Sequence, residues 1–276
     1  SNVLPKRIDF VANSRTSDLG TMISQARRSG LVRERDVADC ASISYVLPDA
    51  ETLKNHQFNP SFTTITNINL NAPRERVRSN VLFGDVEKAY LSSKNNLYIT
   101  STLYNANGWN CPPGAMCAMR WVEPGSQTLV HKFIVGKRGA IYDRTGLVPG
   151  NLVTDYAIDE SSTGDVRLVT QKTGENRESL VTILSSNLSL LGQVGGFGIG
   201  ENFQSARFMG NRLYLVTFEQ IDPFYVVDIS DSKNPKKLGE LKIPGYSTYL
   251  HPYDENRLIG LGYDTITNLH GGIQNG

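Results

Sequence analysis

The chain has 276 residues, 20% of them charged, with 28 Lys and Arg against 27 Asp and Glu and a net charge of +1. So even a balance, with no lysine or arginine field, gives no reason to expect nucleic acid or an anionic membrane as partner. No apolar run approaches the ~20 residues needed to span a bilayer, so membrane insertion is not expected, and the length suits one large all-β domain or two smaller ones.

Residues 1–40 read as an N-terminal extension. Ser1-Asn2 looks like a tag remnant, so the lack of a leader here carries no information about compartment. In "TSDLGTMISQARRSG", Leu19, Met22, Ile23 and Ala26 fall at helical spacing, with Thr16 or Ser17 as N-cap and Gly30 as stop. A short helix is predicted there. From residue 41 to 276 the signal is short strands. "FTTITNINLNAPRERVRSNVLFG" reads as two strands, the third and fourth of a unit whose first half is missing. "EKAYLSS" and "NNLYIT" follow, then two stretches read as insertions, "YNANGWNCPPGAM" and "GKRGAIYDRTGLVPGN". Next come "VTDYAID", "DVRLVT", "SLVTILSS" and "LSLLGQVGG"; then "QSARFM", "NRLYLVT", "PFYVVDIS" and "KKLGELKI"; and finally "YSTYLHP" and "NRLIGLG", after which the chain stops at "LHGGIQNG" midway through a unit.

These units repeat. Leu97, Leu168, Leu213 and Leu258 hold the same place in successive phrases, at intervals of 71, 45 and 45 residues. Each phrase follows a turn rich in Asn, Asp and Gly, residues that tolerate the positive φ of tight hairpins. Four antiparallel strands recurring every ~40–50 residues define a β-propeller blade, because a lone sheet with two apolar faces must stack against neighbours to bury both. The predicted fold is therefore an all-β propeller of four-stranded antiparallel blades, about three whole and two half blades in this chain, with a short N-terminal helical segment. A β-sandwich, the competing fold, has no reason to repeat the same strand quartet.

The stretch "ARFMGNRLYLVTFEQIDPFYVVDISDSKNPKKLGELKIPGYSTYLHPYDENRLIGLGYDT", with "GLVPGNLVTDYAIDE", "VRLVTQ", "TTITNINL" and "NNLYIT", resembles a family of secreted bacterial and archaeal proteins with a C-terminal β-propeller domain, described as distantly WD40-like. The resemblance covers roughly residues 40–265. It implies a secreted or cell-envelope location and a propeller fold. Two features depart from it: members carry more propeller sequence on either side, and "NCPPGAMC" is not part of the pattern. The family brings no established activity, so no functional residue transfers.

Blade topology places the fourth-to-first and second-to-third connections on one face and the two hairpin turns of each blade on the other. The longest connections are read on the former face: 104–116 with Trp109, 136–151 with Tyr142, Asp143 and Arg144, and "EQIDP" with Glu219 and Asp222. Long connections carry function more often than hairpins do. These six residues are the candidate binding residues, and the alternative is that the loops pack on one another or on another domain. Cys111 and Cys117 are candidates for a small loop-closing disulfide suited to an oxidising compartment; otherwise they are free thiols or half of a metal set. Cys40 is the odd thiol.

Other motifs weigh less. "GGFGIGE" lacks dinucleotide-fingerprint spacing and precedes a strand, "HGG" at His270 has no accompanying nucleophile elbow, and His56, His131, His251 and His270 show no paired ligand spacing. Asp228, Asp231 and Asn234 read as Asx turns before calcium ligands. The sequon at Asn187 lies in a tight turn. The resulting expectation is an extracytoplasmic binding or scaffolding module for a protein or cell-surface polymer, without cofactor or metal, and with homodimerisation through exposed blade edges. The alternative is a propeller enzyme, a hydrolase or metal-dependent catalyst, with acidic residues at the loop-rich channel face.

Overall fold

A computed structural model describes residues 6–10, 21, 24, 27–30, 32–36, 43–45, 56–57, 61–71, 78–84, 86–105, 125–137, 139–174, 176–218, 222–243, 245–267 and 273–275. In chain order the first strands are β1 (Lys6–Phe10), β2 (Val32–Asp36), β3 (Ile43–Tyr45), β4 (His56–Gln57), β5 (Phe62–Asn67) and β6 (Arg78–Phe83). Then come β7 (Lys88–Leu91), β8 (Asn96–Asn105), β9 (Gln127–Gly136) and β10 (Gly139–Pro149). These are followed by β11 (Asn151–Leu152), β12 (Ile158–Glu160), β13 (Val166–Lys172), β14 (Glu178–Leu184) and β15 (Leu190–Phe197). The remainder are β16 (Asn202–Met209), β17 (Arg212–Phe218), β18 (Asp222–Asp228), β19 (Lys236–Ile243), β20 (Tyr246–Asp254), β21 (Arg257–Tyr263), β22 (Thr265–Thr267) and β23 (Ile273–Asn275).

The chain divides into two compact units, one comprising Ser1–Val46, Asn59–Asp85 and Val135–Ile141, the other Leu47–Phe58, Val86–Ile134 and Tyr142–Gly276. In the first, β1 and β2 pair antiparallel. Helical backbone at Thr21, Ser24, Arg27 and Arg28 ends at Gly30, whose N–H donates to the Arg27 carbonyl at 3.2 Å and whose φ of +68° is the left-handed conformation of a helix stop. β5 and β6 form the expected antiparallel pair, but β6 also takes β3 as a parallel neighbour, giving the order β3-β6-β5. That parallel pair is foreign to an all-antiparallel blade.

The second unit holds the repeat. The β16-β17-β18-β19 sheet is a complete antiparallel blade, with Leu213 opposite Phe208 on one side and Val227 on the other. The blade before it runs β13-β14-β15, and its first strand is broken in two: β11 and β12 both pair with β13, separated by a 3-10 turn at Asp155–Ala157. Earlier still, β7, β8, β9 and β10 lie side by side, with the short β4 added along the far end of β8. β20 and β21 form the first half of a further blade, and β22 pairs with β23 in a separate ribbon.

The four repeat leucines thus sit on β8, β13, β17 and β21, the second strands of four different sheets. Within the unit, β16 packs against β20, and the 3-10 turn packs against both β7 and β16, so first strands neighbour first strands. Burial follows from this stacking. Val166, Arg167, Leu168, Val169 and Thr170 are buried in unbroken succession along β13, as are the residues of β14 after Glu178. A strand covered on one face only would alternate. One apolar cluster runs from Tyr98 and Val130 through Leu168 and Ile183 to Leu213, Tyr225 and Val227, joining three blades.

The stretch 136–151, read from sequence as an insertion, is instead largely β10, the fourth strand of its blade. Ala140, Gly146 and Val148 are buried while Ile141, Arg144 and Leu147 are exposed, a half-buried strand pattern. The charged "YDR" in its middle disguised it as a loop.

Candidate functional site

The connections between blades bring the first strands together in a fixed way. Gly150 (φ +82°) precedes β11, Gly198 (φ +57°) precedes β16 and Gly245 (φ +80°) precedes β20. Each lies against the second strand of a blade. A Cβ on Gly150 would come within 2.9 Å of the Gln171 backbone, one on Gly198 within 2.6 Å of Thr217 Cβ, and one on Gly245 would meet the Tyr263 carbonyl. Side chains complete the joint: Thr170 Oγ1 donates to the Pro149 carbonyl at 2.6 Å, and Thr217 Oγ1 donates to the Glu201 carboxylate.

At the hairpin-turn ends, polar groups fasten the β7–β10 blade to the β11–β15 blade, and that one to the β16–β19 blade. Lys94 Nζ donates to the Ser162 carbonyl. Arg167 donates through Nε to Asp159 Oδ2 at 2.9 Å and through Nη1 to the Gly210 carbonyl at 2.7 Å, with its guanidinium 5.5 Å from the Phe208 ring centre. Ser232 Oγ donates to Asp165 Oδ2 at 2.7 Å, and Lys132 Nζ to the Ser186 carbonyl at 2.8 Å. Glu160 accepts from Asn96 Nδ2 at 3.0 Å and from Tyr98 OH at 3.1 Å. Burial first, and the Glu160 charge second, push the Tyr98 hydroxyl far above its ordinary pKa.

Beside this second set of contacts, and sharing Asp159 and Phe208 with it, lies a groove of about 430 Å³ walled by first strands of three blades. Ala89, Tyr90 and Leu91 come from β7, Asp155, Tyr156, Ile158 and Asp159 from the 3-10 turn and β12, and Arg207 and Phe208 from β16. Tyr90 OH donates to Asp159 Oδ1 at 3.4 Å, and burial with the Asp159 charge raises its pKa. The Arg207 guanidinium lies 5.6 Å over the Tyr156 ring. Tyr249, from β20, meets Tyr156 edge-on with centroids 5.4 Å apart, and its hydroxyl is 3.2 Å from His251 Nδ1. Tyr156 nonetheless stays 51% exposed. The break in the first strand is what turns it outward: three residues of 3-10 turn interrupt the pleat and lift Tyr156 off the sheet.

Of the residues singled out from sequence, Tyr142, Asp143 and Arg144 lie on β10, towards the end that leads from the β9–β10 hairpin. Arg144 Nε pairs with Asp143 Oδ2 at 3.1 Å, and buried Lys132 stands 3.8 Å from the same oxygen. Tyr142 OH and Thr145 Oγ1 are 3.0 Å apart, and Thr145 Oγ1 is 2.7 Å from His131 Nδ1, whose Nε2 is 3.4 Å from Ser101 Oγ. His131, Ser101 and Lys132 are buried in this network while Arg144 is exposed, and the contacts tie β10 to its blade. Asp222 opens β18, its backbone alone being described, and Trp109, Glu219, Cys111, Cys117 and Cys40 lie outside the described residues, as does His270. Asp228 and Asp231 cap turns through their side chains, accepting from Ser230 N at 2.9 Å and Lys233 N at 3.0 Å. Among the described residues, no three His, Cys, Asp or Glu side chains converge as a metal set.

Sequence reasoning missed the groove. "VTDYAID" reads as one plain strand, and nothing in it announces the 3-10 break. The one available signal was the recurrence of Tyr in first-strand phrases: "EKAYLSS", "VTDYAID" and "YSTYLHP" each carry one at comparable positions.

The stacked four-stranded antiparallel sheets and their sequence agree with one architecture. The chain belongs to the beta propeller domain family, whose model matches residues 23–275. It is similar to an uncharacterized protein of Methanocaldococcus jannaschii, 42% identical over 125 residues that make up 44% of this chain and 20% of the relative. An uncharacterized protein of Archaeoglobus fulgidus is 44% identical over 115 residues, 42% of this chain and 18% of the relative. The chain therefore spans about a fifth of the length of these curated relatives.

Proposed function

We propose that this chain is an extracytoplasmic binding module, secreted or held at the cell envelope, that engages a protein or cell-surface polymer along the first-strand groove. The observation that carries this reading is the exposed Tyr156, braced by Arg207 and Tyr249 instead of being buried. A large aromatic residue held rigid and left open to solvent is the kind of anchor that binding surfaces use, since it offers contact area at small entropic cost. The groove has an open wall with apolar and charged groups side by side, which suits a chain lying across it. A secreted location follows from the family resemblance and is part of the proposal.

The test compares retention of solubilised cell-envelope material, split into protein and polymer fractions, by the wild-type chain and by Tyr156→Ala. Saturable binding that drops roughly tenfold or more in the variant is expected. Equal retention by both, with unchanged melting of the variant, would remove the groove from the binding surface.

A further inference from the structure

The groove's polar groups narrow the class of ligand, given the binding role proposed above. Asp159 is already committed to Arg167 and to Tyr90. Asp155 and Arg207 remain: neither has an ion-pair partner among the described residues, and both line the groove. One is an acceptor-only carboxylate and the other a donor-only guanidinium, and their charges cancel. An anionic ligand would meet Asp155 as a like charge, and a cationic one would meet Arg207. An uncharged ligand bearing many hydroxyls satisfies both, because a hydroxyl donates to the one and accepts from the other.

The apolar side of the groove points the same way. A pyranose ring presents a patch of C–H groups on its face and hydroxyls around its equator. Tyr156 offers ring surface of matching size, with the Arg207 guanidinium over one face and Tyr249 in a T-shaped contact beside it, and Asp155 is next to it in sequence on the same turn. A bound peptide strand draws its specificity from pockets for alternate side chains, and the open wall formed by Ala89, Leu91 and Phe208 supplies apolar surface in place of such pockets. At about 430 Å³ the groove has room for a short run of rings. We infer that the groove binds an uncharged saccharide chain, with one ring stacked on Tyr156, Asp155 accepting from its hydroxyls and Arg207 donating to its oxygens.

The experiment is calorimetric titration of the whole chain with hexasaccharides of glucose, N-acetylglucosamine, mannose and xylose, beside oligogalacturonate and an uncharged extended peptide. At least one neutral hexasaccharide is expected to bind, with little change on adding salt. Tyr156→Ala is expected to weaken it roughly tenfold or more, and Asp155→Asn and Arg207→Gln each roughly three- to thirtyfold. Tyr156→Phe keeps the ring and is expected to keep most of the affinity, which separates loss of the stacking surface from loss of fold. Preference for oligogalacturonate or the peptide, no binding of any neutral hexasaccharide, or binding indifferent to Tyr156→Ala would each overturn the assignment. Were the saccharides to fail while Tyr156→Ala still abolished retention of the envelope protein fraction, the saccharide assignment would fall and the binding role would stand; failure of both would remove both.

Discussion

His131 is 2% exposed, held between Ser101 and Thr145, and faces no carboxylate in those contacts. Burial alone therefore governs its titration and lowers its pKa from 6.5 to about 4. As pH falls from 6.5, the unfolded chain takes up a proton that the folded chain refuses, so stability is lost on acidification and the loss is complete near pH 4. The expected contribution is about 3 kcal/mol. Urea unfolding of wild type and His131→Gln at pH 7 and pH 4 measures it: the wild type should lose more stability between the two, by roughly that amount. Equal losses would mean that the histidine is free to charge in the fold. From sequence, a structural role for this histidine was legible in its isolation from other ligand-type residues. Its partner Thr145 was not, because "YDRTG" reads as a turn and only the sheet shows it to be the middle of β10.

Among the elements, the blade connections are the most exacting. Gly198 and Gly196 both adopt positive φ, but only Gly198 lies against a neighbour, the Thr217 side chain; a Cβ on Gly196 would meet open space. Replacing each with alanine separates backbone strain from collision. Gly196→Ala is expected to cost about 1 kcal/mol, the cost of the left-handed conformation, and Gly198→Ala about 2–4 kcal/mol, with overpacking added. Similar midpoints in thermal or urea unfolding would show that the connection yields freely. The strands themselves were readable because alternation, β-branched residues and Asn- or Gly-bearing turns all pointed the same way, as in "NRLYLVT". Gly150, Gly198 and Gly245, spaced 48 and 47 residues apart, echo the leucine repeat and mark the same joints. The groove was hidden for a different reason: Tyr156 and Tyr249 meet only through the stacking of separate blades, and local patterning cannot report such a contact.

For the molecule as a whole, the edge of the complete blade is where the expected homodimerisation is proposed to be decided. Among the described strands, β19 pairs with β18 alone, and it exposes Leu238 (56%) and Leu241 (60%). Lys236, Lys237 and Lys242 are exposed on the same strand, where among the described residues only Lys237 forms an ion pair, with Glu240 at 2.5 Å. Lysines on an edge strand oppose its pairing with a second copy. Homodimerisation along this edge is proposed to be held in check by that repulsion. Light scattering should then show mass rising with ionic strength, and Lys237→Val/Lys242→Val should associate at low salt. A constant monomer mass in all these conditions would count against the edge as a contact.

Arg167 touches everything at once: the carboxylate that anchors Tyr90, the carbonyl in the next blade's hairpin, and Phe208 in the groove wall. The surface proposed to meet a ligand and the joint that keeps two blades registered therefore share one guanidinium. Occupancy and heat resistance become linked properties, so whatever settles in the groove should also make the scaffold harder to melt, and damage to the joint should be felt as blunted recognition.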